Sequence, residues 1–451
     1  MCHAYKTATV LKYIIWVTDI KTCYFNWGEL IKSLKRELGL LEVTLSGVGI
    51  ILGAGIYALI GEAAPLSGNT LWLSFLISSV VAAFTALSYA ELSSMFPHSS
   101  AEYEYVKNAM GDRIAFIIGW LIILSAVISS TTVAVGFSNY LSVILDLPKF
   151  LSSISLIALL SFILFVGIKE SARVAIVFTS IEAAGLLIIT FIGIPYYGTV
   201  NYLEAPLGLN GIFASAALIF FAFLGFEEIV KLSDEAKEPH KTIPKGIILA
   251  MIISTTLYML VAFSSVSILG WEGLSQSNAP FSQIAYSVFG TNGSFLLSII
   301  ALFATSNTVL LMILAGSRIV YGMSKSGSIP HVFSKVHYKT RTPWIAIILI
   351  SLASIGFLFI GEIDFLASVT NYTLFASFIF INASAIILRY TSPNTERSFK
   401  IPLNIKWVPI LPILGIITCV ILLLNLEYSA IILGIILTVI GLLISFLKRK
   451  D

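Results

Sequence analysis

Apolar residues run along this chain in long stretches that are separated by short polar segments. Twelve of these stretches come close to the roughly 20 residues that cross the hydrocarbon layer of a bilayer. They cover residues 39–62, 70–91, 114–141, 151–168, 174–195, 211–230, 246–270, 294–317, 344–361, 365–388, 408–425 and 429–446. Continuous apolar runs of this length are typical of membrane-spanning helices. The pattern therefore predicts an all-α polytopic membrane protein with twelve transmembrane helices.

The positive charges give these spans an orientation. With the N-terminus in the cytoplasm, all but one of the 27 Lys and Arg residues fall in cytoplasmic segments, and the exception is Lys149. Cytoplasmic loops of membrane proteins carry an excess of Lys and Arg. Losing or adding a span in the middle of the chain would destroy this bias. We therefore predict a multi-pass protein of the cell (plasma) membrane with both termini in the cytoplasm.

The composition leaves almost no chain for a soluble domain. Of the 451 residues, 57% are hydrophobic and 11% are charged, whereas soluble domains average about 25% charged residues. Residues 1–38 and the tail 447–451 are predicted to be cytoplasmic. The apolar stretch 9–20 contains Lys12 and Asp19 and is too short to span. This stretch is either an interfacial helix or an upstream extension from a misplaced start codon.

The residues that usually carry enzyme chemistry are scattered. All five histidines fall in predicted cytoplasmic loops, and the three cysteines have no metal or redox spacing. No phosphate-cradling GxxxxGK sequence is present. We therefore expect no enzyme activity, no metal, no cofactor and no nucleic-acid partner. A membrane-embedded enzyme and a channel or sensor are the alternatives from other classes, although no charge rings or filter loops are readable.

Glycines interrupt two of the predicted spans. Span 1 carries Gly47, Gly49, Gly53 and Gly55 within nine residues, and span 6 carries Gly225 after a phenylalanine-rich stretch. Breaks in hydrophobic segments five spans apart are typical of transporters with an inverted repeat, whose binding site lies at the bilayer midplane. Helix packing through GxxxG is the alternative interpretation of the span 1 glycines.

The two breaks divide the chain into predicted repeats. Spans 1–5 form the first repeat, residues 39–195, and spans 6–10 form the second, residues 211–388. Two C-terminal helices, residues 408–446, follow the repeats. Broken backbone inside a bilayer must line a cavity or be buried in protein, so we expect both breaks to face the interior.

One acidic residue lies in the middle of a predicted span. Glu182 stands nine residues beyond Arg173, which is about 13 Å deeper in a helix that rises 1.5 Å per residue. A charge at this depth is costly and marks a functional candidate. The structural alternative is a neutral Glu182 that is hydrogen-bonded to a neighbouring helix. Glu227 and Glu228, after the span 6 break, are either functional or ordinary polar residues near the cytoplasmic end.

Four blocks of sequence, spread over residues 35–425, share the pattern of one transporter superfamily. They are GVGIILGAGIY (47–57), GIKESAR (167–173), FFAFLGFE (220–227) with its continuation through IPKG (243–246), and RSFKIP (397–402). Together they resemble the amino acid–polyamine–organocation (APC) superfamily, close to its cationic amino acid transporter branch. The resemblance implies secondary transport of an amino acid by alternating access. It also implies a five-plus-five inverted repeat with two further helices.

The resemblance implies a binding site at the two breaks. The substrate α-carboxylate would meet backbone amides of Gly53, Ala54 and Gly55, where a half-helix N-terminus offers positive charge. The α-ammonium would meet carbonyls near Ile50 and at residues 221–224. Phe221 would be an aromatic gate, with plain core packing as the alternative. The candidate substrate-binding residues are thus Ile50, Gly53, Ala54, Gly55, Phe221, Phe223, Leu224 and Gly225.

The coupling ion is where the chain departs from the resemblance. Proton-coupled members often have a Lys in span 5, and Glu182 stands at the matching position. Glu182 could take a proton directly, or it could bind Na⁺ together with hydroxyls such as Thr305 and Ser306 of span 8. Proton coupling is the preferred hypothesis, and exchange without an ion stays open. With no acidic residue in the presumed side-chain pocket except Glu182, the sequence mildly favours a neutral amino acid.

Overall fold

The computed structural model describes residues 38–96, 101–405 and 408–447. Its helices are α1 (Leu40–Ile51), α2 (Gly55–Ser67), α3 (Leu71–Met95), α4 (Ala101–Met110), α5 (Asp112–Leu141), α6 (Lys149–Val166), α7 (Ile168–Gly193), α8 (Gly208–Ile219), α9 (Pro239–Ser275), α10 (Pro280–Lys325), α11 (Trp344–Phe357), α12 (Ile363–Thr391), α13 (Ile410–Leu424) and α14 (Tyr428–Leu447). Shorter 3₁₀ segments lie at Gly68–Thr70, Ile194–Tyr196, Phe220–Phe223, Phe226–Asp234 and His331–Ser334. Two short strands, β1 (Asn404–Ile405) and β2 (Val408–Pro409), pair antiparallel.

Within these described ranges, nine helical segments are long and apolar enough to cross a membrane. One of them, Gly55–Met95, comprises α2 and α3 together with the 3₁₀ turn between them. The apolar helices α1, α11 and α13 are shorter, at 10–17 residues. The prediction of an all-α polytopic membrane protein is confirmed, while the count of twelve spans stays a prediction.

Large apolar side chains cover the outer faces of several helices. Leu159 and Phe162 on α6, Phe191 on α7 and Leu352 on α11 are all more than half exposed. A soluble monomer rarely leaves so many large apolar residues in water. Lipid tails are the solvent that such a surface fits, because no hydrophobic penalty arises there.

Both glycine-containing spans are interrupted where the sequence predicts. Span 1 consists of α1 and α2, and the three residues between them are not helical. Span 6 consists of α8 followed by two 3₁₀ segments, with Leu224 and Gly225 between those segments. The long helix α10 packs along α5 and α7, and α9 packs along α1 and α3. The two breaks therefore lie inside the bundle, while the inverted repeat itself stays a prediction.

Two helices continue well beyond their predicted spans. Helix α9 begins at Pro239 rather than near residue 246, and α10 covers Pro280–Lys325 rather than residues 294–317. Each contains one glycine with a left-handed backbone, Gly270 (φ 66°) and Gly290 (φ 67°), where the helix changes direction. Hydropathy marks only the part of a helix that contacts lipid, so the continuations gave no signal in the sequence.

A buried ion cluster joins α3 and α12 to the segment that follows α12. The carboxylate of Glu91, which is 1% exposed, accepts a hydrogen bond from Arg389 Nε at 2.9 Å and one from the backbone N–H of Ile401 at 2.8 Å. Arg397 Nε lies 3.3 Å from the same carboxylate. Arg397 also donates to the carbonyls of Leu388 and Ser392. The RSFKIP block is therefore fastened to α3 and α12 near the cytoplasmic end of the predicted topology through a compensated buried charge.

Polar contacts close the opposite end of the bundle. Glu204, in the connection between α7 and α8, accepts hydrogen bonds from Asn69 Nδ2 at 2.8 Å and from Trp271 Nε1 at 3.2 Å. The Asn69 side-chain oxygen accepts in turn from the backbone N–H of Trp271 at 3.1 Å. Trp72 Nε1 donates to the carbonyl of Tyr202 at 3.1 Å. These contacts fasten the predicted extracellular connection across the ends of spans 1, 2 and 7.

Candidate functional site

The two helix breaks touch each other through glycine. A Cβ atom added at Gly55 would lie 2.6 Å from Ala222 Cα and 3.0 Å from Ala222 N. A Cβ added at Gly225 would lie 2.8 Å from the carbonyl oxygen of Ile50, and Gly225 has a φ of 114°. No other residue type fits such contacts or such a φ without strain. The glycines therefore allow the backbones of spans 1 and 6 to meet.

The N-terminus of α2 supplies polar backbone to this contact. The N–H groups of its first turn have no acceptor within the helix, and the helix dipole adds partial positive charge there. The N–H of Ala54 donates to Thr308 Oγ1 at 2.7 Å, a buried contact with α10. Gly53 faces the same hydroxyl, which is 3.0 Å from the position of an added Cβ. The predicted carboxylate site thus includes a threonine from span 8.

Tyr258 of α9 links the two breaks. Its hydroxyl lies 2.6 Å from the carbonyl oxygen of Ile51 and 2.9 Å from that of Ala222. A phenol has one proton to donate, so these two carbonyls share a single donor. Carbonyls that share one donor retain capacity to accept further hydrogen bonds, for instance from an ammonium group.

A small cavity lies between the breaks. It is lined by Ile50, Ile51, Gly53, Gly55, Ser129, Phe221, Ala222, Leu224, Thr308 and Met312. Its volume is about 10 Å³, which is room for a single water molecule at most. Its lining is apolar apart from two hydroxyls and the backbone. The site in this conformation is therefore closed, and an amino acid fits only if the walls separate.

The structure separates the span 6 candidates into two groups. Phe221 and Leu224 line the cavity and are 3% and 8% exposed. Phe223 instead packs with Tyr258 and Phe75, at ring-centroid distances of 5.3 and 6.4 Å. Gly225 contacts span 1 and does not line the cavity. Phe223 and Gly225 thus support the wall, whereas Phe221 and Leu224 face the space where a substrate would sit.

The acidic pair after the break has local partners. Glu227 Oε2 accepts from the backbone N–H of Gly225 at 2.9 Å, so this carboxylate caps the span 6 break. Glu228 accepts from Lys231 Nζ at 2.5 Å. Glu227 is therefore tied to the geometry of the site, and Glu228 belongs to an ion pair nearer the cytoplasmic end of the predicted topology.

Glu182 lies in the interior, close to span 8, with a partner that the sequence analysis did not name. Its side chain is 0% exposed, and Oε2 is 3.5 Å from the donor Asn307 Nδ2. Thr305 Oγ1 and Ser306 Oγ donate to carbonyls of their own helix, at Ala301 and Leu302 respectively. The structure thus brings Asn307 to Glu182, and it gives Thr305 and Ser306 intrahelical partners.

A larger cavity lies at the end of the bundle that carries the predicted cytoplasmic loops. Its volume is about 960 Å³, and Glu102, Lys231, Arg318 and Leu314 are among the residues that line it. Burial raises the pKa of the Glu102 carboxyl, the nearby Lys231 ammonium lowers it by a smaller amount, and Glu228 raises it further. The Glu204 contacts close the opposite end, so this wide space lies on the side of the breaks that carries the predicted cytoplasmic loops.

Several residues of this site were missed by the sequence analysis. Thr308, Asn307 and Ser129 are polar residues inside predicted spans, and that position alone could have selected Asn307 as a candidate. Tyr258 and Met312 gave no signal, because aromatic and sulfur side chains are ordinary in membrane helices. Their roles depend on which helix faces the breaks, and this is visible only in three dimensions.

Comparisons with known proteins agree on one family. Residues 38–446 match the amino acid permease family. The chain is 32% identical to the branched-chain amino acid permease BcaP of Bacillus subtilis, over 93% of this chain and 94% of that protein. It is 30% identical to the methylthioribose transporter of the same species, with the same coverage. It is also 30% identical to the vacuolar cationic amino acid transporter 2 of Arabidopsis thaliana, over 81% of this chain and 61% of that protein. This chain therefore belongs to the amino acid permease family of the APC superfamily, a family of membrane transporters rather than enzymes.

Proposed function

We propose that this protein is a secondary active transporter that takes up a neutral, apolar amino acid by alternating access. The observation that carries the proposal is the contact of two helix breaks around a small, mostly apolar cavity. The N-terminus of α2 and the Thr308 hydroxyl suit an α-carboxylate. The carbonyls of Ile51 and Ala222, which share the Tyr258 proton, suit an α-ammonium. Both charged groups of a zwitterion then have complementary partners.

The residues that line the cavity support a substrate whose side chain is neutral. Ile50, Phe221, Leu224 and Met312 surround the space, and no carboxylate is among the described residues that line it. A cationic side chain would have to leave water without a counter-charge, which is costly in this environment. The name of the B. subtilis branched-chain amino acid permease is in line with this choice. The names of the cationic amino acid and methylthioribose transporters provide the competing substrates for a test.

Alternating access is supported by the closed site between the breaks and by the larger cavity on one side of it. A site of about 10 Å³ has to open before a substrate enters, and the cavity of about 960 Å³ lies on the predicted cytoplasmic side. We propose that this conformation faces the cytoplasm, that both termini are cytoplasmic, and that the protein resides in the plasma membrane. The predicted repeats, residues 39–195 and 211–388, would supply the two halves of the motion.

We further propose that Glu182 couples uptake to protons. Its carboxyl is fully buried beside the helix that holds Thr308, and a buried carboxyl is far more stable neutral than charged. A change of hydration during the inward–outward switch would therefore change its proton occupancy. Sodium coupling and ion-independent exchange are the other outcomes of the experiment below.

Transport into proteoliposomes tests these proposals. Counterflow of labelled leucine, isoleucine or valine should exceed that of arginine and methylthioribose. A gradient of one pH unit supplies about 1.4 kcal/mol per proton, which drives roughly tenfold accumulation. Glu182→Gln should keep counterflow and lose that accumulation, whereas Glu427→Gln, an exposed carboxylate, should keep both. Full pH-driven accumulation by Glu182→Gln would refute proton coupling, and stimulation by a Na⁺ gradient at constant pH would point to sodium.

A further inference from the structure

A buried polar cluster joins α7 to α10 beside the helix breaks. Asn307 and Glu182 are both 0% exposed. Asn307 Nδ2 donates to Thr179 Oγ1 at 2.9 Å and lies 3.5 Å from Glu182 Oε2. The amide nitrogen of Asn307 thus has two acceptors in reach, one for each of its protons.

Two oxygen atoms of this cluster are left without hydrogen-bond partners. They are Glu182 Oε1 and Asn307 Oδ1, and both are buried. An ionised carboxylate and an amide oxygen are both acceptors only, so neither can satisfy the other. A buried acceptor without a donor costs about 1–3 kcal/mol, and a buried unpaired charge costs more. The cluster therefore lacks at least one hydrogen-bond donor.

A single proton on Glu182 supplies that donor. When Oε1 carries the proton, its O–H can donate to Asn307 Oδ1, while Asn307 Nδ2 donates to Oε2. Carboxylic acid and amide then form two antiparallel hydrogen bonds, and both unpartnered oxygens are satisfied together. We propose that Asn307 is the positioning residue that holds the transported proton on Glu182 as such a carboxyl–amide pair. This inference rests on the proposed coupling of transport to protons.

The cluster is connected to the substrate site from both sides. Tyr57, in the first turn of α2, donates through its hydroxyl to the backbone carbonyl of Glu182 at 2.8 Å. Thr308, the residue after Asn307, accepts the N–H of Ala54. A movement of the span 1 break therefore displaces the backbone at both members of the pair. Substrate arrival at the break would in this way alter the hydrogen bonds that hold the proton.

The surroundings favour a proton over a metal cation. Among the side chains that the structure describes, the titratable groups that face Glu182 from the packed helices are phenols, Tyr57 from α2 and Tyr258 from α9. No Lys or Arg among the described residues forms an ion pair with Glu182. A cation has to replace most of its hydration shell with protein oxygens, and the cluster offers two free ones. One proton, in contrast, completes the hydrogen bonding.

Infrared difference spectroscopy of the purified protein in liposomes tests this pair. The spectrum of the wild type at neutral pH minus that of Glu182→Gln should show the C=O stretch of a protonated carboxylic acid. Asn307→Leu should shift that band to higher frequency, because a carboxylic acid C=O stretches at lower frequency when it is hydrogen-bonded. Asn382→Leu, a matched loss of an equally buried asparagine, should leave the band in place. Asn307→Thr keeps one oxygen and should give a smaller shift in the same direction.

The outcomes separate this inference from the proposed function. Absence of the band in the wild type at neutral pH would refute a neutral Glu182 and with it proton coupling through this residue. A band that is present but unmoved in whichever Asn307 variant folds would refute the role of Asn307 and leave proton coupling intact. Loss of the band on replacing potassium with sodium at constant pH would overturn the proposal in favour of a bound cation. In transport, Asn307→Leu should lose at least fivefold of the pH-driven accumulation relative to Asn382→Leu.

Discussion

Replacing Gly55 with alanine tests whether the contact between spans 1 and 6 forms the substrate site. The new Cβ would lie 2.6 Å from Ala222 Cα, whereas non-bonded carbons prefer about 3.5–4.0 Å. The atom that it meets is backbone, so no side-chain rotation relieves the clash. The two breaks would have to move apart by roughly 1 Å. Overpacking of this kind costs about 1–3 kcal/mol.

This cost can be read in two assays. If the strain falls on the substrate-bound state, a loss of about 1–3 kcal/mol corresponds to an affinity about 5- to 150-fold weaker. If it falls on the fold, the melting temperature of the purified protein decreases. We expect the loss of affinity to dominate, because the clash lies at the wall of the cavity. The affinity is measured as half-saturation of counterflow with whichever amino acid is transported.

Two further alanine substitutions provide a comparison for the loss of substrate affinity in Gly55→Ala. In Gly53→Ala, the atom nearest to the new Cβ would be the Thr308 hydroxyl oxygen at 3.0 Å. This is a side-chain atom that can yield, so the loss of affinity should be smaller. Gly356→Ala on α11 meets no atom within 4 Å, and it should leave affinity unchanged and stabilise the helix slightly. Wild-type affinity in Gly55→Ala, or an equal loss in Gly356→Ala, would refute the assignment of the site to the breaks.

Three other predictions follow from the same structure. Phe221→Ala should enlarge the cavity and raise the leak of internal substrate severalfold without loss of membrane insertion, and unchanged uptake kinetics would show that Phe221 is merely core. Glu91→Gln should destabilise the protein by about 3–5 kcal/mol, because it leaves two guanidinium groups without their buried counter-charge; an unchanged melting temperature would contradict this. In a variant without native cysteines, a cysteine at position 205 should react with an impermeant thiol reagent added outside, and a cysteine at position 238 should not. External labelling at 238 would reverse the proposed orientation.

The fold class could be predicted from the sequence because a bilayer requires long apolar segments in any helix that spans it. Long apolar runs have few uses other than spanning a membrane, and the glycines of spans 1 and 6 are costly in a helix unless the helix is broken or closely packed. The limits of the helices were less readable. The segments from Pro239 to Lys245 and from Pro280 to Gly293 are helical, but polar and proline residues interrupt their apolar pattern, so hydropathy did not detect them.

From the sequence, only those residues of the candidate site that lie on the two interrupted helices could be predicted. Gly53, Gly55 and Phe221 lie on the interrupted segments, and the structure places all three at one cavity. The contributions of Thr308 and Asn307 depend on the rotation of α10 about its axis, which no local pattern gives. Thr305 and Ser306, three and two residues earlier than Thr308, have the same hydroxyl chemistry. Their hydroxyls donate to carbonyls of their own helix, whereas the Thr308 hydroxyl also accepts the N–H of Ala54.

The distribution of strong and weak contacts indicates which parts move. The ends of the bundle are fastened by the Glu91 ion cluster and by the hydrogen bonds of Glu204. The two breaks, in contrast, meet each other through van der Waals contact of glycine backbone and through the single Tyr258 proton that two carbonyls share. Contacts of this kind cost little to separate, and an incoming zwitterion replaces the shared proton with donors of its own. Opening should therefore begin at the breaks, where a substrate that binds only the separated state shifts the equilibrium by its differential affinity. Because Asn307 and Thr308 are adjacent on α10, that separation would also reach the pair formed by Asn307 and Glu182.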